Sequence, residues 1–597
     1  MIKYAVNLWG KDIEIETEES RDSYLTNFGR ATLENRYMSS GESYQDLFAR
    51  VATHYADDSQ HAQRLYDYIS KLWFMPATPI LSNGGTKRGF PISCFLNEAE
   101  DSMQGIVDLW NENVWLSCRG GGIGSYWGKV RSIGEKVGRV GQTSGIVPFI
   151  KVLDSLTLAI SQGSLRRGSA ACYLPINHPE IEEFIEMRRP TGGDPNRKTL
   201  NLHHGVVITD DFMKAVENDG EWDLISPNDD SVQKTVSARN LWIRLLTARI
   251  ETAEPYIIFI DAVNDAIPEW HKKEGLTVKT SNLCSEITLP TNDKRTAVCC
   301  LSSVNVEKYD EWNKDPQFIE DIMLFLNNVL SDFINNAPDD FRKAIYSAEQ
   351  ERSVGLGVMG FHSFLQQKNL SMEGVLAKVW NTRIFTEIKE KVDAASHKIA
   401  LDRGPCPDSL KYDNMERFSN KMAIAPTASI SIICGGTSPG IEPIAANSFT
   451  HKTLSGSFNV RNKYLEEVLD RYGKNDEEIW SSITTNLGSV QHLDFLDEKE
   501  KGVFKTAFEI DQRWIIELAA DRTKHICQSQ SLNIFLPADI SKKALHMLHY
   551  TAWKKGVKSL YYCRSKSIQR AEVINNKFTG SVDDNVYNHY EECLSCQ

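Results

Sequence analysis

Ser281-Asn282-Leu283-Cys284-Ser285-Glu286-Ile287-Thr288-Leu289-Pro290 is the stretch on which the reading of this chain turns. Its apolar and β-branched residues, closed by a proline, predict an extended strand or loop. In an extended chain the side chains at i, i+2 and i+4 share one face. That face would carry an amide, a thiol and a carboxylate (Asn282, Cys284 and Glu286), with roughly 7 Å between successive members. A helix would spread the three around its axis. A thiol in this setting can be a nucleophile, a metal ligand, a radical or a buried structural cysteine. No histidine adjoins it to act as base, and a neighbouring carboxylate raises a thiol pKa, so a thiolate nucleophile fits poorly. A radical needs a protonated, buried thiol, and the setting suits one.

Outward from this stretch, the other cysteines sort by context. Twelve in 597 residues are too sparse for a disulfide scaffold. Cys94 lies in the strand-like Phe90-Pro91-Ile92-Ser93-Cys94-Phe95-Leu96, and Cys299 and Cys300 lie in the strand-like Thr296-Ala297-Val298-Cys299-Cys300-Leu301-Ser302. Neighbours on a strand face opposite sides, so at most one of Cys299 and Cys300 can face Cys94. Adjoining strands would bring two thiols to disulfide geometry, while two separate core cysteines fit the spacing as well. Cys593 and Cys596 end the chain in Glu591-Glu592-Cys593-Leu594-Ser595-Cys596-Gln597. With His589 they could be part of a zinc site, but zinc wants four ligands, so a redox dithiol is favoured. A tethered dithiol has a high effective concentration and can reduce an internal disulfide by exchange. Cys118, Cys172, Cys406, Cys434, Cys527 and Cys563 read as core packing.

Periodicity predicts helices from about Asp22 to Trp73, and at Gly145–Ile160, Asp211–Val216, Ala238–Thr252, Phe318–Asn335 and Val375–Arg403. Strand-like stretches alternate with them, which favours an α/β architecture. Pro426-Thr427-Ala428-Ser429-Ile430-Ser431 reads as a hydroxyl-rich turn before a helix; Thr427, Ser429 or Ser431 could cap it, and its N–H groups could receive a phosphate. Gly120-Gly121-Gly122-Ile123-Gly124 is not a dinucleotide fingerprint, because Trp127 stands where the third glycine should; a close backbone approach to a ligand is the alternative. Tyr561-Tyr562 reads as a strand pair, ordinarily packing.

Taken in order, these segments resemble the large, catalytic subunit of class I ribonucleotide reductases, from about Pro76 to the C-terminus. The resemblance implies a ten-stranded α/β barrel with a central finger loop, preceded by a small helical N-terminal region. The expected division is 1–75 for that region, 76–575 for the barrel and 576–597 for a polar redox tail. Cys284 matches the residue that becomes a thiyl radical and takes the 3′-hydrogen of the ribose. Glu286 matches the base on the 3′-hydroxyl, and Asn282 the amide bonded to the reacting ribose. Cys94 and Cys299 match the pair that supplies two reducing equivalents and ends as a disulfide. Cys593 and Cys596 match the tail dithiol that reduces it and is recharged by thioredoxin or glutaredoxin. Tyr561 and Tyr562 match the pair relaying a radical from a separate metal-containing small subunit.

Thr78, Ser93, Gly122, Thr427, Ser429 and Ser431 match positions that bind the substrate, a nucleoside diphosphate. Asp101 and Arg131 match a specificity site for a nucleoside triphosphate effector, and Gln162 and Arg166 the loop joining it to the substrate. A homodimer formed on effector binding, no covalently bound cofactor and no metal ligands in this chain are implied as well. The sequence departs from larger relatives in having no recognisable N-terminal ATP-binding cone and in carrying Ala428 where they have an acidic residue. Some relatives also have a wider spacing of the tail thiols. The compact form resembles phage-type enzymes.

Composition narrows the alternatives. A formal net charge of −13 disfavours a nucleic-acid binder. No run of about 18 apolar residues suggests a membrane span, and the acidic N-terminus is no signal peptide. The expected location is the cytoplasm, that of a host if a phage carries the gene. The nearest rival is a class II enzyme that makes its radical from adenosylcobalamin. It would leave Tyr561-Tyr562 as packing. A nucleotide-binding regulator without catalysis would not need all five of Asn282, Cys284, Glu286, Cys94 and Cys299. A simple thiol oxidoreductase would explain Cys593 and Cys596 but neither Asn282 nor Glu286.

Overall fold

Short runs of fully buried, mostly apolar residues set the architecture, because strands covered on both faces cannot alternate polar with apolar. The computed structural model describes residues 1–139, 141–162, 166–453 and 456–565. Cys94–Glu98, Gly122–Tyr126, Ala170–Pro175, His203–Ile208 and Tyr256–Phe259 follow one another as five parallel neighbours. A second parallel set begins with Ala297–Asn305 and Val354–Met359. It continues through a bridge from Leu356 to Met422, a bridge from Ile424 to Gln530, and the pairing of Ile534–Leu536 with Cys563–Ser565. The two sets meet antiparallel at both seams. One joins Cys94–Glu98 to Ala297–Asn305, the other Tyr256–Phe259 to Ser559–Leu560. Counting the segments around 422–424, 529–536 and 559–565 as one each, ten extended segments close a ring, as the resemblance implied.

The predicted helices cover the ring. Ile146–Ala159, Asp210–Glu217, Ala238–Thr252, Phe318–Asn336 and Val375–Arg403 lie within two residues of their expected bounds. Helix ends follow from local capping. Ser237, for instance, accepts from the N–H of Asn240 at the start of Ala238–Thr252. The N-terminal region is helical over Asn27–Arg36, Tyr44–Tyr55 and Ser59–Ser70. It also opens with an antiparallel hairpin of Ile2–Val6 and Asp12–Glu16, which the helical reading did not anticipate. Ile13 and Ile15 on the second strand are buried while their neighbours Asp12, Glu14 and Glu16 are exposed, an alternation that marks a strand laid on a core. Outside the ring, Tyr464–Phe504 builds a satellite core around Leu465, Leu469, Trp480 and Ile483.

The stretch 280–290 is buried along its whole length and is held from both halves of the ring. Tyr173 donates its hydroxyl to the Asn282 carbonyl from one half. Ser531 donates to the Cys284 carbonyl from the other, and the N–H of Ser529 to the Glu286 carbonyl. Gly124 is where the finger passes closest: a Cβ there would lie 1.7 Å from the Ser281 carbonyl oxygen. The sequence leads one to expect this glycine-rich segment to approach a ligand closely; at Gly124 the close approach is instead to the backbone of the finger. Among the described residues no helix is long and apolar enough to cross a membrane.

Candidate active site

Two strands bring the internal thiols together. Cys94 and Cys299 are direct register partners where the two halves of the ring meet antiparallel. Opposed residues in such a pair have Cβ atoms about 4.5–5.5 Å apart, close to the spacing a disulfide spans. Both side chains are buried. Burial pushes the Cys299 thiol well above its usual range, and the neighbouring Cys94 and Glu286 push it the same way, so it is held protonated. Cys300 faces the opposite side and packs under the Phe318–Asn336 helix, its sulfur 3.8 Å from the Leu326 carbonyl.

The finger tip departs from the extended form expected of it. A turn occupies Leu283-Cys284, and Ser285 takes a left-handed φ of 65°. The row of three side chains spaced evenly along a strand is not kept, because the turn folds Glu286 back toward Asn282. The Asn282 amide now serves several partners. Its oxygen accepts from the N–H of Ile287 at 3.2 Å, its nitrogen lies 3.2 Å from the Cys94 sulfur, and it hydrogen-bonds to the Glu286 carboxyl. A turn achieves with short contacts what a strand would have spread over a longer row.

Glu286 is fully buried, and that desolvation raises its pKa to about 7; hydrogen bonds from Asn282 and Ser531 oppose the rise without cancelling it. Cys284 is 2% exposed and shares an apolar cluster with Leu283, Tyr173, Tyr256, Tyr561 and Tyr562. The tyrosine pair lies between the short strands Ser559–Leu560 and Cys563–Ser565, not inside one strand as expected. Their rings are 4.2 Å apart, and Tyr256 sits 4.8 Å from Tyr561. The Arg564 guanidinium covers the Tyr562 ring at 4.2 Å. A chain of aromatic rings therefore lies in the same cluster as the finger thiol.

Of the expected substrate positions, Ser93 and Gly122 adjoin the thiol pair: Gly122 pairs with Cys94 in parallel register, and its N–H donates to the Ser93 carbonyl at 2.8 Å. Thr427 immediately precedes a short helix, Ala428–Ile433, with φ 54°, a left-handed conformation unusual for a β-branched residue. The capping expectation fails there, because the Thr427 hydroxyl instead accepts from the N–H of Gly440 at 2.7 Å. Ser429 and Ser431 are buried on that helix. Thr78 opens the helix Thr78–Asn83, and its hydroxyl is 2.9 Å from that of Tyr37.

The expected effector pair also meets: the Arg131 guanidinium holds Asp101 at 2.7 and 2.8 Å, and the N–H of Arg131 donates to the same carboxylate at 3.1 Å. Gln162 and Arg166 are register partners in a small antiparallel pair. Cys593 and Cys596 lie outside the described residues. Core packing holds for Cys172, Cys406, Cys434 and Cys563 but not for Cys118, which is exposed; Cys527 is half-buried and takes the N–H groups of Lys421 and Met422 at 3.1 and 3.2 Å. Sequence reading missed Tyr173, Tyr256 and Ser531. Each reaches the finger or the tyrosine pair from a distant strand, and nothing local marks it.

Comparison with known proteins agrees with this geometry. The family model described as ribonucleotide reductase, barrel domain, matches residues 92–417 and 409–563, and the one described as ribonucleotide reductase, all-alpha domain, matches residues 23–89. The ribonucleoside-diphosphate reductase large subunit of Invertebrate iridescent virus 3 is 40% identical, over 98% of this chain and 100% of the relative. That of Invertebrate iridescent virus 6 is 30% identical over 94% of each. Among solved structures, the Actinobacillus ureae class Id ribonucleotide reductase alpha subunit superposes with a TM-score of 0.81 at 33% identity, covering 92% of this chain and 98% of that one. The chain belongs to the ribonucleotide reductase large-subunit family, whose work is to convert ribonucleotides to deoxyribonucleotides.

Proposed function

We propose that this chain reduces ribonucleoside diphosphates through a thiyl radical at Cys284, with the radical delivered from a separate metal-bearing small subunit. The observation that carries the reading is the opposed pair Cys94 and Cys299 beside a buried Asn282 and Glu286. Tyr562 and Tyr561 pass the radical inward. The Cys284 thiyl takes the hydrogen from C3′, and Glu286 accepts the proton of the 3′-hydroxyl. A carbon radical beside C2′ makes loss of the 2′-hydroxyl easy once Cys94 protonates it, and it leaves as water. Cys299 then gives its hydrogen to C2′ and the pair closes a disulfide; the remaining electron and the proton returned by Glu286 restore the 3′-hydroxyl, and Cys284 returns its hydrogen to C3′. Ribonucleotide and dithiol thus become deoxyribonucleotide, disulfide and water.

The environment suits each step. A base near pKa 7 is ionised in part at neutral pH yet strong enough to take a proton. The buried ring keeps water and stray reductants from the radical. Ser93, Gly122, Thr78 and the turn carrying Thr427, Ser429 and Ser431 hold the substrate and its phosphates. Asp101 and Arg131 bind a nucleoside triphosphate whose identity is passed on through Gln162 and Arg166, with a homodimer forming as it binds. Cys593 and Cys596 reduce the internal disulfide and are recharged by thioredoxin or glutaredoxin, in the cytoplasm where those proteins work.

The test uses the chain with its small subunit and a ribonucleoside diphosphate. Cys284→Ala abolishes reduction, and a single turnover of a Cys593→Ser chain, whose tail cannot pass the disulfide on, leaves a Cys94–Cys299 disulfide that peptide mapping detects. Turnover on adenosylcobalamin with no small subunit present would instead make this a class II enzyme.

A further inference from the structure

Ser531 lies on the segment 528–534, which touches both halves of the radical route. Its hydroxyl is 2.6 Å from the Cys284 carbonyl oxygen and 3.1 Å from Oε2 of Glu286. Two residues earlier, the N–H of Ser529 donates to the Glu286 carbonyl at 2.9 Å. The same segment holds the tyrosine pair. The Leu532 carbonyl accepts from the N–H of Tyr561 at 2.9 Å, and the Asn533 side chain accepts from that of Tyr562 at 3.1 Å. Its start is clamped by the buried Lys558 ammonium, which donates to the carbonyls of Ile526, Cys527 and Gln528 at 2.7, 3.0 and 2.8 Å.

We infer that Ser531 is a positioning residue that sets Cys284 and Glu286 against each other and links the base's protonation to the peptide of the radical-bearing residue. The inference rests on the functional reading above. A hydroxyl has one proton to give and two lone pairs to receive. When Glu286 is ionised, its carboxylate and the Cys284 carbonyl compete for that one proton. When Glu286 has taken the substrate's proton, it can donate to the Ser531 oxygen, and the hydroxyl proton goes wholly to the Cys284 carbonyl. The bond to Cys284 therefore tightens as the base becomes protonated. The ionised base is stabilised by the same hydroxyl, which works against its burial. Among the described residues, the Cys299 thiol and the Tyr173 phenol interact electrostatically with Glu286, and neither is a cation.

The experiment is the pH profile of diphosphate reduction by the holoenzyme. Ser531→Ala lowers kcat ~10-fold or more, keeps KM within about twofold, and moves the acid limb to higher pH by about one unit, because the ionised base has lost a donor. Ser531→Thr keeps the hydroxyl and keeps the limb in place. Ser529→Ala, whose hydroxyl bonds Ser559 at 2.6 Å and not the finger, lowers melting temperature but leaves the limb unmoved. Should the alanine variant not fold, Ser531→Cys, of similar volume and with a weak donor, gives the same readout. A wild-type kcat and limb in Ser531→Ala, or an equal displacement in Ser529→Ala, overturns the inference. Cys284→Ala separates the two claims. If it stays active, the functional reading fails; if it is dead while Ser531→Ala behaves as wild type, only the role of Ser531 fails.

Discussion

Glu286 shows how one residue's environment sets both chemistry and stability. Its pKa, raised to about 7 by burial, sits above the value of an unfolded glutamate. A carboxyl whose folded pKa is raised favours folding only while protonated. That contribution is whole below the unfolded pKa, near 4.3, and is lost as pH rises through about 7. Glu286→Gln therefore melts higher than the unaltered chain at pH 8 and at about the same temperature near pH 4, with a gain of roughly 3–4 kcal/mol at the alkaline end. The same variant loses on the order of 100-fold or more in kcat, as removal of a general base does. Thermal melts at the two pH values and a steady-state assay check both halves; an unchanged melting temperature at pH 8 would contradict the buried, neutralised carboxyl. At the proposed effector pair Asp101 and Arg131, Arg131→Ala leaves basal reduction in place but removes the effect of nucleoside triphosphates on which base is reduced, measured by product ratios with each effector.

The finger is the element whose form could not be taken from its own residues. The apolar and β-branched residues of 281–290 favour an extended chain, and the left-handed Ser285 overrides it. What forces the turn is the ring: Tyr173, Ser529 and Ser531 each take a finger carbonyl and leave room for one path only. Gly124 tests this. A methyl there would meet the Ser281 carbonyl at 1.7 Å, backbone against backbone, so it is relieved only if the finger moves. Gly124→Ala keeps the helical content of the chain, lowers its melting temperature by several degrees and cuts reduction below about 1%. Circular dichroism, a melt and the assay measure these together, and full activity would mean that the finger is not pinned at this strand. The helices behave differently. Ala238–Thr252 and Val375–Arg403 fall on their expected bounds because caps and four-residue spacing are local.

At the scale of the whole molecule, two parallel sets of strands close on each other through antiparallel seams, and the reactive groups gather there and along the finger between them. In the proposed mechanism such an enclosure protects the radical but shuts out a bulky reductant, so the internal disulfide would need a slender carrier. Cys593→Ser is expected to complete about one turnover per chain with thioredoxin and many with a small dithiol, which reaches the pair directly. Multiple turnovers with thioredoxin would rule out the tail as carrier. Much of this was legible without coordinates. The amide, thiol and carboxylate spaced by two and the paired tyrosines were visible as residue types, though their roles were not, and the helices follow from short-range periodicity. The meeting of Cys94 with Cys299, the turn at Ser285 and the arrival of Ser531, Tyr173 and Tyr256 were decided only by tertiary structure. Chemical identity and helical period are properties of a few neighbouring residues, whereas strand register and the path of a loop through a ring depend on partners hundreds of positions away along the chain.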